Sequence, residues 1–246
     1  MKINLGMCGV LAGLSISFAA QADKTLEIHG RVGASAGQYS NEFKISGVNA
    51  ADEPVNERAK RDELVYGLLG SVIAIMDGYY VNTELELQQI DDDEGADFKS
   101  SDITLTLGKQ FANGWGPFVG YRHVRQGDGV FDSEIQRENG YFLGLSYSGL
   151  PIGESIVTSF GAAYVISNIN AGGTRFDDAN GVSLRATASF AGTPHSISLR
   201  YRQFSGDVRV NDPGIGSLKL DLEESYLTLS YQYTLPITSL PISSGF

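Results

Sequence analysis

An apolar–polar alternation restarts along almost the whole of this chain, and it limits the fold more than any other feature. Leu26, Ile28, Val32 and Ala34 alternate with Glu27, His29, Arg31 and Ser35. Tyr79, Val81, Thr83, Leu85 and Leu87 alternate with Tyr80, Asn82, Glu84, Glu86 and Gln88. The pattern returns at 103–108, 182–190, 197–202 and 227–233. Successive side chains of an extended strand point to opposite faces, so each run predicts a strand with one apolar and one polar face. With weaker segments added, ten strands are predicted: 25–39, 64–76, 79–90, 102–111, 115–125, 140–148, 156–167, 181–190, 195–210 and 217–235. The second differs from the rest, because Leu68, Leu69 and residues 72–76 are apolar on both faces.

The connections between these segments alternate in length. Residues 40–63, 91–101, 126–139 and 168–180 are long and polar, whereas Asp77-Gly78, 112–114, 149–155 and 191–194 are short. The ninth, around 211–214, is a turn at the tip of a hairpin (204–223) that overshoots the others. Asp-Gly is a two-residue turn of the kind hairpins favour. Long loops at one end and tight turns at the other are the pattern of outer-membrane barrels, and it implies an even strand count. The expected fold is therefore all-β: a closed antiparallel up-and-down transmembrane β-barrel of ten strands. Eight or twelve follow if 64–76 is not a strand or if 236–246 is not a tail.

Closure follows from solvation. In hydrocarbon every backbone N–H and C=O needs a partner, and only a closed sheet has no edges. Strands of about 9–11 residues suffice to cross when tilted. On this topology Tyr79, Phe111, Trp115, Tyr147, Phe190 and Tyr233 fall on the apolar face at the short-turn end, as a membrane-interface girdle would.

The first 22 residues read as a cleaved secretory signal, with Lys2, an apolar core over 5–19 and Ala20-Gln21-Ala22. Cys8, the one cysteine of the chain, leaves with it, so no disulfide frames the mature protein. The barrel domain is then 23–235, followed by a periplasmic tail, 236–246, that contains Pro236 and Pro241. A net charge of −11 argues against nucleic acid as a partner.

With these features the chain resembles the small outer-membrane β-barrel proteins of Gram-negative bacteria, porin-like and OmpA-like. The resemblance spans the mature chain and is architectural, with no specific family motif. It rests on the signal, the ten alternating segments and the aromatic-rich last strand, Tyr226 to Tyr233. It implies outer-membrane lipid and lipopolysaccharide as surroundings, and it implies that the barrel assembly machinery reads the last strand during insertion.

Inside such a barrel the polar face is the lumen. Arg31, Arg122, Arg185, Arg200 and Arg202 point inward, as do Glu27, Glu84 and Glu86, with acids and bases on broadly opposite walls. In a narrow lumen they pair as an ionic plug; with a water path they make a transverse field that selects a small charged solute. Ten strands lie near the filled end of the size range.

Catalysis has less support. Of the histidines left after signal removal (His29, His123 and His195), only His123 lies near the outer rim, as omptin-type proteases or lipid A hydrolases would require, and no D-x-H is near it. Asp91, Asp93 and Asp97 form an acidic loop without EF-hand spacing, a weak metal candidate. No cofactor is implied. The leading expectation is a non-enzymatic structural barrel or narrow pore. The rival is a surface adhesion or recognition protein acting through the 40–63 loop and the 204–223 hairpin.

Overall fold

The computed structural model describes residues 24–91, 98–127, 134–171, 173–212 and 216–242. The signal segment and the acidic loop residues Asp93 and Asp97 lie outside the described residues. Ten strands are present: β1 (Lys24–Asn49), β2 (Pro54–Met76), β3 (Tyr79–Asp91), β4 (Phe98–Lys109), β5 (Trp115–Gly127), β6 (Glu134–Ile152), β7 (Ile156–Ala171), β8 (Thr174–Phe190), β9 (His195–Asp212) and β10 (Gly216–Ile242). Each pairs antiparallel with its sequence neighbours, and β1 pairs with β10 to close the ring. The Asp77-Gly78 turn has φ of 52° and 76°, both positive, as a two-residue hairpin of this hand requires.

The wall is inverted relative to a water-soluble core. Leu68, Tyr141, Leu143, Leu145 and Leu229 face outward, each more than half exposed. Glu84, Glu86, Asp102, Arg122, Arg200 and Arg202 are buried inside. An outward apolar belt this continuous is a surface for something other than water.

Two expectations about chain boundaries are corrected. The long connections are largely strand: β1 continues to Asn49 and β2 begins at Pro54, so 40–63 is a hairpin with a tight turn. Likewise β6 starts at Glu134, and β7 and β8 run on to Ala171 and Thr174. Beyond the apolar belt the outer face loses its lipid-type bias, with Glu42 and Lys44 outside and Phe43 inside, so the apolar-outward pattern ends while the hydrogen-bond ladder continues.

The second correction concerns 236–246. Residues 236–242 extend β10 instead of leaving the barrel as a tail. Pairing with β9 stops at Tyr233, and the Thr234 N–H, aimed to that side, donates to the Pro194 carbonyl. Pro236 therefore aims its missing donor at the same side, where β9 has ended. A bulge on β10 at Ile237 brings Pro241 to that side too, so neither proline breaks the ladder to β1.

Candidate functional site

The lumen-facing charges meet in one layer across the middle of the barrel. Arg200 bonds both Glu84 and Glu86, the latter at 2.8 Å, and Arg185 reaches Glu84 at 3.1 Å. Ser35 Oγ and Gln88 Nε2 donate to Glu86 at 2.8 and 3.0 Å. Arg122 donates to Asp102 at 3.0 Å and to Glu138 at 2.9 Å, and its guanidinium lies 5.2 Å from the Phe204 ring centroid. Arg202 shares Asp102 with it at 2.5 Å.

Ring position gives these contacts their meaning. β4 and β9 stand five places apart in a ring of ten, as do β3 and β8. Arg202–Asp102 and Arg185–Glu84 thus join diametrically opposite walls by direct hydrogen bonds. Buried carboxylates paired in this way have their lone pairs largely satisfied, which lowers the cost of placing charge in a dry interior.

Two further layers lie toward the long-strand end. In the first, Tyr39 and Tyr226 pack with ring centroids 4.6 Å apart beside Val65 and Ile90. Gln126 donates to the Tyr226 hydroxyl at 2.6 Å, again from the opposite strand. Glu224 accepts from Gln136 at 2.7 Å, Tyr39 at 3.0 Å and Asn41 at 3.1 Å, while its other oxygen has no partner among the described residues. Above it, Ile169, Phe176, Ala179 and Leu222 form an apolar cap, with Phe43, Val208 and Leu220 packed against it. The apolar face of the 204–223 hairpin is thus used internally rather than presented outward.

Of the residues read from sequence, Arg122, Arg185, Arg200, Arg202, Glu84 and Glu86 are brought together. Arg31 lies just below them, its Nε buried without a hydrogen-bond partner among the described residues. Glu27 is apart: it is half exposed near the chain ends and contacts His29 at 3.4 Å. Sequence reasoning missed Asp102, Glu138 and Glu224. Asp102 continues the polar face of Thr104 and Thr106 by one step, and that signal was available. Glu138 falls in the connection expected over 126–139.

At the short-turn end Tyr79, Trp115 and Tyr233 are exposed on the outer face and Phe111 is exposed at the rim, while Tyr147 and Phe190 are half-buried. Trp115 and Tyr147 pack edge to face at 5.2 Å, and the Lys109 amine lies 4.1 Å from the Tyr79 ring centroid. His195 packs there against Tyr231 and Tyr233. His123 faces outward and contacts Asn139, at 2.8 Å, rather than a carboxylate. Asp91 is exposed at the end of β3, and no group of three metal-binding side chains occurs among the described residues.

Closed ring, outward apolar belt and charged interior together define an outer-membrane-type β-barrel. Neither a family model nor a curated protein sequence matches the chain. Among solved structures it is similar to the outer-membrane protease OmpT from Escherichia coli, with 11% identity, a TM-score of 0.50, and coverage of 85% of this chain and 97% of that one. The outer-membrane protein OprG from Pseudomonas aeruginosa matches at 12% identity and TM-score 0.35, over 89% of this chain and 98% of that one. The β domain of the Bordetella autotransporter BrkA matches at 14% identity and TM-score 0.36, over 80% and 98%.

Proposed function

We propose that this protein is a non-enzymatic outer-membrane barrel whose lumen is sealed, so that it acts as a closed membrane-embedded scaffold carrying a crown of strands above the bilayer. The observation that carries this reading is the Arg202–Asp102 contact between opposite walls, both residues buried. An open channel holds its opposite walls apart; here they are joined in the charged layer, and again by Gln126 and Tyr226. Two of the histidines support the non-enzymatic part, since His123 and His195 contact Asn139 and tyrosines, while His29 meets Glu27 at the short-turn end, away from the outer rim.

Bacterial outer-membrane placement is supported by the outward belt and the short-turn aromatics. Both described chain ends lie at the short-turn end, which is the periplasmic side in barrels of this kind. Lipid, lipopolysaccharide and the assembly machinery are then the partners, with the first 22 residues as the export signal. In proteoliposomes the purified barrel is expected to give no swelling with small sugars or salts. Swelling that scales with barrel content would overturn the sealed reading.

The length of β1, β2, β9 and β10 favours a second role for the crown, recognition at the cell surface. Its outer face carries ion pairs such as Glu42 with Arg58 and Lys44. Deleting residues 46–56 should abolish adherence of expressing cells to a host or neighbouring surface if the crown recognises one; unchanged adherence sinks this role.

A further inference from the structure

Below the ionic layer the barrel is hollow. A cavity of about 700 Å³ runs from the short-turn end up to the arginines. Its walls include Ile73, Ile75, Phe118, Phe142 and Val165, apolar residues on a face that is elsewhere polar. The inward isoleucines account for the doubly apolar second strand.

The register shows how this space stays open. Tyr80 is paired with Gly108, Phe118 with Gly144, and Phe142 with Gly120. A Cβ built on any of these glycines would fall 2.2–2.4 Å from the partner ring. Each ring therefore lies flat on the wall, in the space a neighbouring side chain would fill, rather than across the lumen. Three such cross-strand pairs line one cavity with smooth apolar surface.

The roof has the opposite character. Among the described residues around the cavity, five arginines (Arg31, Arg122, Arg185, Arg200 and Arg202) face one acid, Glu84. Three of them are buried in the ionic layer, but the Arg185 side chain is still 31% exposed. The Arg31 Nε is buried without a hydrogen-bond partner among the described residues, an arrangement that disfavours the empty site.

We propose that this cup binds an anionic single-chain amphiphile, its carboxylate on Arg31 and Arg185 and its chain along the Phe118–Phe142 and Ile73–Ile75 walls. The roof selects charge and the walls select chain. A hydrophilic anion leaves the walls wet, and a neutral chain leaves the Arg31 Nε without a hydrogen bond. The volume is that of a small-molecule site. The inference deepens the sealed-barrel reading, since a sealed roof makes the cup blind and reachable only from the short-turn side.

The test is a titration of carboxyl-labelled dodecanoate into the intact barrel in lipid nanodiscs, followed by carbon-13 NMR across a pH series. The expected result is a saturable signal at one equivalent per barrel, which stays ionised at pH values where bilayer-dissolved dodecanoate has taken up its proton. Arg31→Gln should weaken it at least about tenfold, the loss of one charge-assisted contact. Ser183→Phe, which fills the cup and keeps every arginine, should abolish it; this variant carries the test if the arginine variant fails to fold. Unlabelled acetate should not displace the signal. Only bilayer-dissolved signal with the wild-type barrel, unchanged binding by Ser183→Phe, or displacement by acetate would each overturn the proposal. Proteoliposome swelling would overturn the sealed roof alone and leave this titration to stand or fall by itself.

Discussion

Arg202 on β9 and Asp102 on β4 stand on opposite sides of a ten-stranded ring, and their side chains meet at 2.5 Å in its centre. Asp102 also holds Arg122, so one carboxylate compensates two buried guanidinium groups. Removing it takes the carboxylate from Arg202 and leaves Arg122 to Glu138.

Asp102→Ala should therefore destabilise the barrel by roughly 3–5 kcal/mol, the range for breaking a buried pair at one partner. Urea unfolding in lipid vesicles, followed by the heat-sensitive gel shift of folded barrels, reads this directly. An unfolding midpoint equal to wild type would mean that the central contacts carry no stability.

Glu224 supplies a pH dependence. It lies beyond Leu227, the last outward apolar residue of β10 before Ser225 and Glu223, and so above the membrane belt. Burial pushes its carboxyl up to about 6, reinforced by the nearby Glu138, while bonds from Gln136 and Tyr39 and the charge of Arg122 oppose the rise. A raised carboxyl favours folding when protonated. Its contribution is complete below the ordinary value of 4.5 and is lost as pH rises through about 6. Glu224→Gln keeps an acceptor and removes the charge, so it should be more stable than wild type by about 2 kcal/mol above that window, converging with it at acid pH. Parallel stability curves for the two proteins would refute the assignment.

The glycine–ring pairs predict opposite outcomes at two glycines. A Cβ at Gly120 would lie 2.2 Å from Phe142 and 2.3 Å from the Leu105 carbonyl, whereas at Gly70 the nearest atom is 3.9 Å away. Gly120→Ala should cost about 1–3 kcal/mol, as overpacking does. Gly70→Ala should be neutral or stabilising by up to about 1 kcal/mol, through the unfolded chain. Folding yields into vesicles compare the two, and equal losses would contradict the wall geometry.

Trp115, the one tryptophan of the chain, is 52% exposed on the outer face at the short-turn end. Its emission should shift to the blue on insertion and be quenched more by lipids labelled near the headgroup than by lipids labelled deep in the chain. Quenching strongest at the bilayer centre, or none, would remove the girdle assignment.

What the sequence revealed tracks where lipid imposes a difference between strand faces. Leu227, Leu229 and Tyr231 stand against Thr228 and Ser230, and the strand is plain. Past the belt the outer face loses its leucines: Glu42, Lys44, Arg58 and Lys60 all stand on it, so lipid no longer marks one face and the crown of β1 and β2 reads as loop. The same loss of contrast hid Glu138, which sits before the apolar run of β6. Pro236 and Pro241 suggested a strand end because the bulge at Ile237 and the early end of β9 pairing are facts of register. Arginines and glutamates were identified as facing the lumen, but which of them touch depends on ring position and shear, and alternation carries neither.

The proposed seal of the lumen lies where opposite walls meet, at Arg202 and Asp102. Single-channel recording of the intact barrel in a planar bilayer tests it most directly. A sealed lumen gives a silent membrane for wild type, at either polarity and across the pH range of Glu224 titration. Regular ohmic steps from the wild-type protein, with amplitude following salt concentration, would contradict it.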